Sequence, residues 1–383
     1  MHLAPTERQQ RLRAELRAYF RGLLPERGEV ADSRALLRRI GADGWLGLGW
    51  PAEYGGQGRG ADEQFVFFDE AYRAGAPVSM VTLNTVGPTL MKYGSERQKA
   101  YFLPRILAGD LVFAIGYTEP LAGTDLASLR TRAVREGDGW RIDGQKIFTS
   151  GAQHADWIWL ACRTDPDAPR HRGISLLLVP TDTPGFSWTP IETVGGQTTT
   201  ATYYDGVRVP AENLVGAENE GWSLITSQLN HERVALAAIG MQAEEFHAAA
   251  LAAARTPDPV TGRRRIDEPW VRFLAAEAHV RLAASRLLSW RLAGDVGAGR
   301  LAPGDASAVK VAGTETAVAT YRMCQEIVGD AGLIRSGSPG AVGDGELERL
   351  NRAAQINTFG GGVSEVQREI VATMRLGMTR GPR

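Results

Sequence analysis

IGYTEPLAGTDLASL, residues 115–129, is the stretch from which the rest of the chain is read. It follows the apolar run Leu111–Ala114, which predicts a strand, and then turns polar. Thr118, Glu119, Thr124 and Asp125 crowd around Pro120 and Gly123, so hydroxyls, carboxylates and backbone donors share one irregular loop. A loop presented by a rigid scaffold in this way is where ligands are met, although Pro and Gly punctuate solvated turns too. The spacing matches neither GxGxxG nor the GxxxxGK pattern, so neither phosphate cradle applies.

Before this loop the period is helical. Thr6 with Gln9 three residues on predicts a capping box, and Leu12, Leu16, Phe20, Leu23 and Leu24 follow at helical spacing. Further helices are expected over Ser33 to Ile40, Asp62 to Ala74 and Val81 to Tyr93, and after the Ser95/Gln98 cap to near Gly109. Gly44 to Gly58 is too rich in Gly and Pro for a helix or an interior strand. From Leu111 to about Val215 the pattern changes to short alternating bursts: Trp140–Ile142, Trp157–Leu160, Ile174–Val179, Ala201–Tyr204 and Val207–Val209. Turn clusters separate them, which predicts a small barrel or sandwich. Long helices return over Ser223 to Ala254, Glu268 to Leu292, Asp305 to Gly329 and Glu346 to about Asn357. A last helix follows the run Gly360–Gly362, capped by Ser364 and Gln367. The expected class is α+β multidomain: an N-terminal helical domain (1–110), a central β domain (111–220) and a C-terminal helical bundle (221–383).

The 383 residues, 43% of them hydrophobic, are enough for two or three packed units. With 43 basic against 44 acidic residues there is no basic stripe to invite nucleic acid. Cys162 and Cys324 form no CxxC pair, which fits a reducing cytoplasm and argues against a thiolate metal cluster. No signal-peptide core and no run of about 18 apolar residues occurs, so a soluble cytoplasmic protein without membrane partners is expected.

The helix from Ser223 holds the most informative residue. At about 3.6 residues per turn, Ile225, Leu229, Glu232, Leu236 and Ile239 fall on one narrow stripe. Four are aliphatic and the middle one is a carboxylate. Burial would make it a better proton acceptor near neutrality. An inward glutamate paired with Arg233 for structure alone fits the same pattern, and the stripe leaves both readings open.

Gly116-Tyr117-Thr118-Glu119-Pro120 with Ala122-Gly123-Thr124-Asp125 resembles the flavin-binding signature of the acyl-CoA dehydrogenases. The resemblance covers nearly the whole chain. GWLGLGWPAEYGGQG (44–58), GQKIFTSGA (144–152), YYDGVRVPAENLVG (203–216), LNHERVALA (229–237) and GGGVSEVQREIVA (360–372) resemble successive family blocks in the expected order. It implies the acyl-CoA dehydrogenase fold, with a β-barrel or sandwich between helical domains and a four-helix bundle at the C-terminus. It also implies FAD-dependent α,β-desaturation of an acyl-CoA: a carboxylate removes the α proton, and the β carbon gives a hydride to flavin N5. Carried over by position, Ile115, Tyr117, Thr118, Gly123 and Thr124 would line the flavin. Phe148 would stand where a tryptophan is usual, and Ser150 where a hydroxyl meets N5. Most members carry the base in the C-terminal block, at the position of Gly361 here; a subset places it on the helix beside the flavin, where Glu232 matches. Gly361 would then contribute only a backbone N–H to the thioester oxygen. Arg233 is the candidate substrate contact.

Two departures stand out. The family's Arg-x-x-Phe-Gly motif, which grips a neighbour's cofactor pyrophosphate, is absent from the connector ARTPDPVTGRRRIDEP (254–269). The Gln-x-x-Gly-Gly element is replaced by Glu326-Ile327-Val328-Gly329-Asp330, two carboxylates where a dianion would approach. Together with GYTEPLAGTDLASLRT, DWIWLACRTDP and TFGGGVSEV, this pattern looks most like the bacterial sterol (cholesterol) side-chain acyl-CoA dehydrogenase subunits, which assemble as α2β2 heterotetramers. The resemblance implies a steroid-side-chain acyl-CoA substrate, a second acyl-CoA dehydrogenase chain (or a homo-oligomer) as partner, and electron-transfer flavoprotein as acceptor. An acyl-CoA oxidase or flavin monooxygenase on the same scaffold, or a non-catalytic subunit completing a neighbour's flavin site, are the alternative readings.

Overall fold

The computed structural model describes residues 5–24, 32–228 and 241–379. The N-terminal helices are α1 (Glu7–Leu23), α2 (Ser33–Ala42), α3 (Ala61–Arg73), α4 (Gly87–Tyr93) and α5 (Glu96–Leu107). Both expected capping boxes form, Thr6 with Gln9 and Ser95 with Gln98. Leu12, Leu16 and Phe20 are buried on one face of α1, and arginines on its other face grip α3: Arg8 pairs with Glu63, Arg13 with Asp69 and Glu70, Arg17 with Glu70. The stretch Gly44–Gly58 forms two short 3-10 turns, Trp45–Gly47 and Ala52–Tyr54. The helix expected over Val81–Tyr93 is not uniform. Val81–Val86 is wound as a π-helix ahead of α4, because Pro88 lacks the N–H that an α ladder through this point requires.

The strands that follow are β1 (Phe113–Gly116), β2 (Arg132–Glu136), β3 (Gly139–Lys146), β4 (Trp157–Arg163), β5 (Ile174–Pro180), β6 (Phe186–Glu192), β7 (Thr198–Pro210) and β8 (Leu214–Val215). They pair in the order β6-β7-β3-β2-β4-β5-β8, with β1 parallel to β4. The first strand begins two residues later than the apolar run predicts. The bursts Ala201–Tyr204 and Val207–Val209 are not separate strands; both belong to β7 (Thr198–Pro210), which pairs with β3 (Gly139–Lys146) across a register shift at Gly144. β4 and β5 (Ile174–Pro180) read as nearly unbroken apolar runs because both faces are covered. Ile158, Leu160, Leu177 and Val179 point into the core of the β domain with Trp140, Ile142 and Val207. Trp159, Ala161, Leu176 and Leu178 join the core of the N-terminal helices.

The C-terminal helices are α6 (described over 221–228), α7 (Ala243–Arg255), α8 (Pro269–Gly297), α9 (Pro303–Val328), α10 (Glu346–Ala353) and α11 (Ser364–Ile370). α9 is the buried centre of this bundle, with Val318, Tyr321, Cys324 and Ile327 packed against α7, α8 and α10. After α10 a 3-10 turn, Ala354–Thr358, leads to the glycine run. Ser364 and Gln367 do not cap α11. Val363 is the N-cap, while Ser364 Oγ donates to the Thr358 carbonyl at 3.1 Å and Gln367 is turned inward. No helix among the described residues is long and apolar enough to cross a membrane.

Candidate active site

The ends of β1 and β3 build the site. Beyond Gly116 the chain leaves the sheet, and two bonds from the end of β3 and the residue after it hold its carbonyls: Lys146 Nζ donates to Tyr117 O at 3.0 Å and Ile147 N to Thr118 O at 2.8 Å. Glu119 turns back under the loop. Its carboxylate accepts from Lys146 Nζ at 2.8 Å and from the N–H groups of Arg130 and Thr131 at 2.7 and 2.8 Å. Lys146 is fully buried and Glu119 nearly so. Burial alone would raise the Glu119 pKa; the Lys146 charge and hydrogen bond, with the Thr131 N–H, outweigh it and hold the carboxyl below its ordinary value.

Two residues beyond Lys146 the backbone enters the left-handed region at Phe148, with φ 59° and a ring 58% exposed. A bulky residue adopts that conformation only where its neighbours impose it. Here Ile147 is fixed to Thr118, while Thr149 N donates to Thr200 O at 3.0 Å and Thr149 O accepts from Thr200 Oγ1 at 2.6 Å. Ser150 Oγ sits 2.9 Å from Thr199 Oγ1. An unpacked aromatic ring and a row of hydroxyls are thereby displayed beside Thr118.

Ile115 is registered against Trp159 across the β1–β4 pair. The Ile147–Thr118 bond joins the chain at Tyr117 and Thr118 to the chain that continues to Phe148 and Ser150, and Gly123 and Thr124 follow Thr118 on the same loop, where a Cβ at Gly123 would meet only Thr118 Cγ2 at 3.9 Å. Asp125 at the loop's outer edge pairs with Arg170 at 2.7 Å. Gly361 lies on a separate turn with φ 65°, next to Gly362, whose carbonyl accepts from Lys310 Nζ at 2.7 Å. Glu232 and Arg233 lie outside the described residues, as do Leu229, Leu236 and Ile239 of the stripe.

Sequence reading missed three polar anchors around the site. Tyr117 Oη accepts from Trp159 Nε1 at 3.0 Å and from Gln228 Nε2, and Gln228 is buried. Arg73, buried on α3, reaches Asp69, Glu244, Glu245 and the Met241 carbonyl. The sequence does carry a signal for Lys146, a lysine within an otherwise alternating strand; nothing local marks Gln228 or Arg73.

The N-terminal, middle and C-terminal domains of acyl-CoA dehydrogenase match residues 6–110, 114–207 and 219–376. The chain is 50% identical to acyl-CoA dehydrogenase FadE26 of Mycobacterium tuberculosis, with all of each chain covered. This chain belongs to the acyl-CoA dehydrogenase family. Among solved acyl-CoA dehydrogenases it is similar to the Tcur3481-Tcur3483 steroid ACAD, at 56% identity and a TM-score of 0.94 over the whole of both chains. The ChsE4-ChsE5 complex from Mycobacterium tuberculosis follows at 49% identity and 0.93, again over both whole chains. The three-part acyl-CoA dehydrogenase architecture expected from the sequence is therefore the architecture of this chain, and the chain is an oxidoreductase acting on acyl-CoA.

The departures from the wider family also acquire partners. Arg265 Nε and Nη2 donate to the carbonyls of Ile327 and Glu326 at 2.7 and 2.9 Å, closing the C-terminal end of α9. Arg264 is paired with Asp267. Glu326 and Asp330 themselves are exposed.

Proposed function

We propose that this chain is the flavin- and base-bearing subunit of a two-chain acyl-CoA dehydrogenase that desaturates a steroid-side-chain acyl-CoA between its α and β carbons. The observation that carries the flavin reading is Phe148: a ring held out of the core by a left-handed backbone, beside Thr118 and Ser150. Such a ring suits the face of a flat aromatic cofactor, and the adjoining hydroxyls suit its polar edge. Ile115, Tyr117, Thr118, Gly123, Thr124, Phe148 and Ser150 would hold FAD. Bound there, it would supply the acceptor for the hydride leaving the β carbon, with electrons passed on to an electron-transfer flavoprotein.

The protein's own share is proton removal and orientation. Glu232 takes the proton from the α carbon, and the Gly361 N–H meets the thioester oxygen as negative charge gathers on it. Arg233 contacts the CoA ester. The need for a second chain is supported by the connector arginines: Arg265 is committed to the end of α9 and Arg264 to Asp267, so this run offers a neighbour's pyrophosphate little. The steroid substrate and the paired assembly are also in keeping with the similar steroid ACAD and the ChsE4-ChsE5 complex.

The visible spectrum tests this directly. The chain should purify colourless alone and yellow when co-expressed with its partner chain, and the complex should bleach anaerobically when a steroid-side-chain acyl-CoA is added. A yellow homo-oligomer that bleaches without a partner would overturn the two-chain reading. Full turnover by Glu232→Gln with flavin retained would remove the base assignment.

A further inference from the structure

The chain entering and leaving residues 229–240 is anchored on both sides by buried polar groups that the reaction itself does not use. On the entering side, Gln228 is 1% exposed and donates through Nε2 to the Tyr117 hydroxyl, which also receives the Trp159 indole N–H at 3.0 Å. On the leaving side, Arg73 donates to the Met241 carbonyl at 2.9 Å and to Glu244 and Glu245 at 3.0 Å each, while Asp69 holds its Nε at 2.8 Å. One anchor therefore belongs to the flavin-side loop and the other to the N-terminal helices. Each holds a backbone carbonyl or a buried amide next to that segment.

We propose that Tyr117, through Gln228, and Arg73 are positioning residues that fix the two ends of the segment carrying the catalytic base. This rests on the assignment of Glu232 as that base. The Tyr117 hydroxyl ties Gln228, the residue before the segment, to the same loop whose carbonyls are held by Lys146 and Ile147. Proton abstraction is sensitive to placement: a displacement of about 1 Å can cost about a hundredfold in rate.

The test uses the yellow complex. Tyr117→Phe and Gln228→Leu each remove one partner of the same bond and little volume. Each should lower kcat about ten- to a hundredfold, with KM and flavin absorbance per chain unchanged in Gln228→Leu, and the double variant should fall no further than the worse single one. Arg73→Met should lower kcat in the same way, and Arg73→Lys should restore part of it. Wild-type kcat in both Tyr117→Phe and Gln228→Leu, beside an inactive Glu232→Gln, would overturn the positioning role and leave the base intact. A fully active Glu232→Gln would remove the base instead, and with it the premise of this inference. Loss of flavin from Gln228→Leu, or additive losses in the double variant, would assign the bond to cofactor retention and likewise overturn the proposal.

Discussion

Glu119 and Lys146 form an ion pair with 2.8 Å between Oε1 and Nζ, the lysine fully buried and the carboxylate nearly so. The pair joins the loop after β1 to β3, and two backbone N–H groups complete the carboxylate's partners. Removing one member strands the other charge. Lys146→Met should destabilise the chain by about 3–5 kcal/mol, and the double change Glu119→Gln with Lys146→Met should cost less than the sum of its parts. Urea unfolding of the three variants measures both.

The same carboxylate sets an acid limb. Its folded pKa is depressed, so its contribution to stability is complete above the ordinary carboxylate pKa and is lost as pH falls through the lower folded value. The urea midpoint should therefore decline below about pH 4, and Glu119→Gln should flatten that decline.

At Phe148 stability and function pull apart. Phe148→Gly relieves a left-handed conformation that costs a bulky residue about 1–3 kcal/mol, and it gives up little buried area because the ring is 58% exposed. Net stability should hold or rise by about 1 kcal/mol after the extra freedom of glycine in the unfolded chain is counted. Flavin per complex should fall. Thermal melting and the absorbance ratio read the two effects separately.

Arg265→Ala should cost about 1 kcal/mol, the worth of exposed charge-assisted bonds at a helix C-terminus, because the Glu326 and Ile327 carbonyls lose their donor. Flavin retention by the complex should not change. Loss of the yellow colour would mean that this arginine reaches the cofactor after all.

Gly221 opens α6 against β5, where a Cβ would come within 2.9 Å of the Ile174 carbonyl and the Ser175 backbone. Gly221→Ala should cost about 1–3 kcal/mol and reduce kcat beyond what its stability loss explains, since it shifts the helix that leads to Glu232. Turnover measured well below the melting point distinguishes the two.

Local patterns in the sequence carried much of this architecture. Capping boxes at Thr6 and Ser95 and the change from helical to alternating period at Leu111 are short-range signals, and the structure realises them. The π-wound turn at Val81–Val86 and the single long β7 went unread because they depend on ladder geometry that periodicity does not encode. Of the proposed site, the loop residues from Ile115 to Thr124 and Phe148 are read through motif. The polar anchors around them were not read: Lys146, Gln228 and Arg73 act through partners 27, 111 and 168 residues away, on other elements.

The wall formed by β4 and β5 has two tenants, the β-domain core on one side and the N-terminal helices on the other. A middle domain transplanted between relatives would therefore arrive with Trp159, Leu176 and Leu178 shaped for helices it no longer meets. Recombination within this fold should succeed only when residues 5–110 travel with the strands they cover. The natural unit of exchange is that pair, larger than any one of the three domain matches.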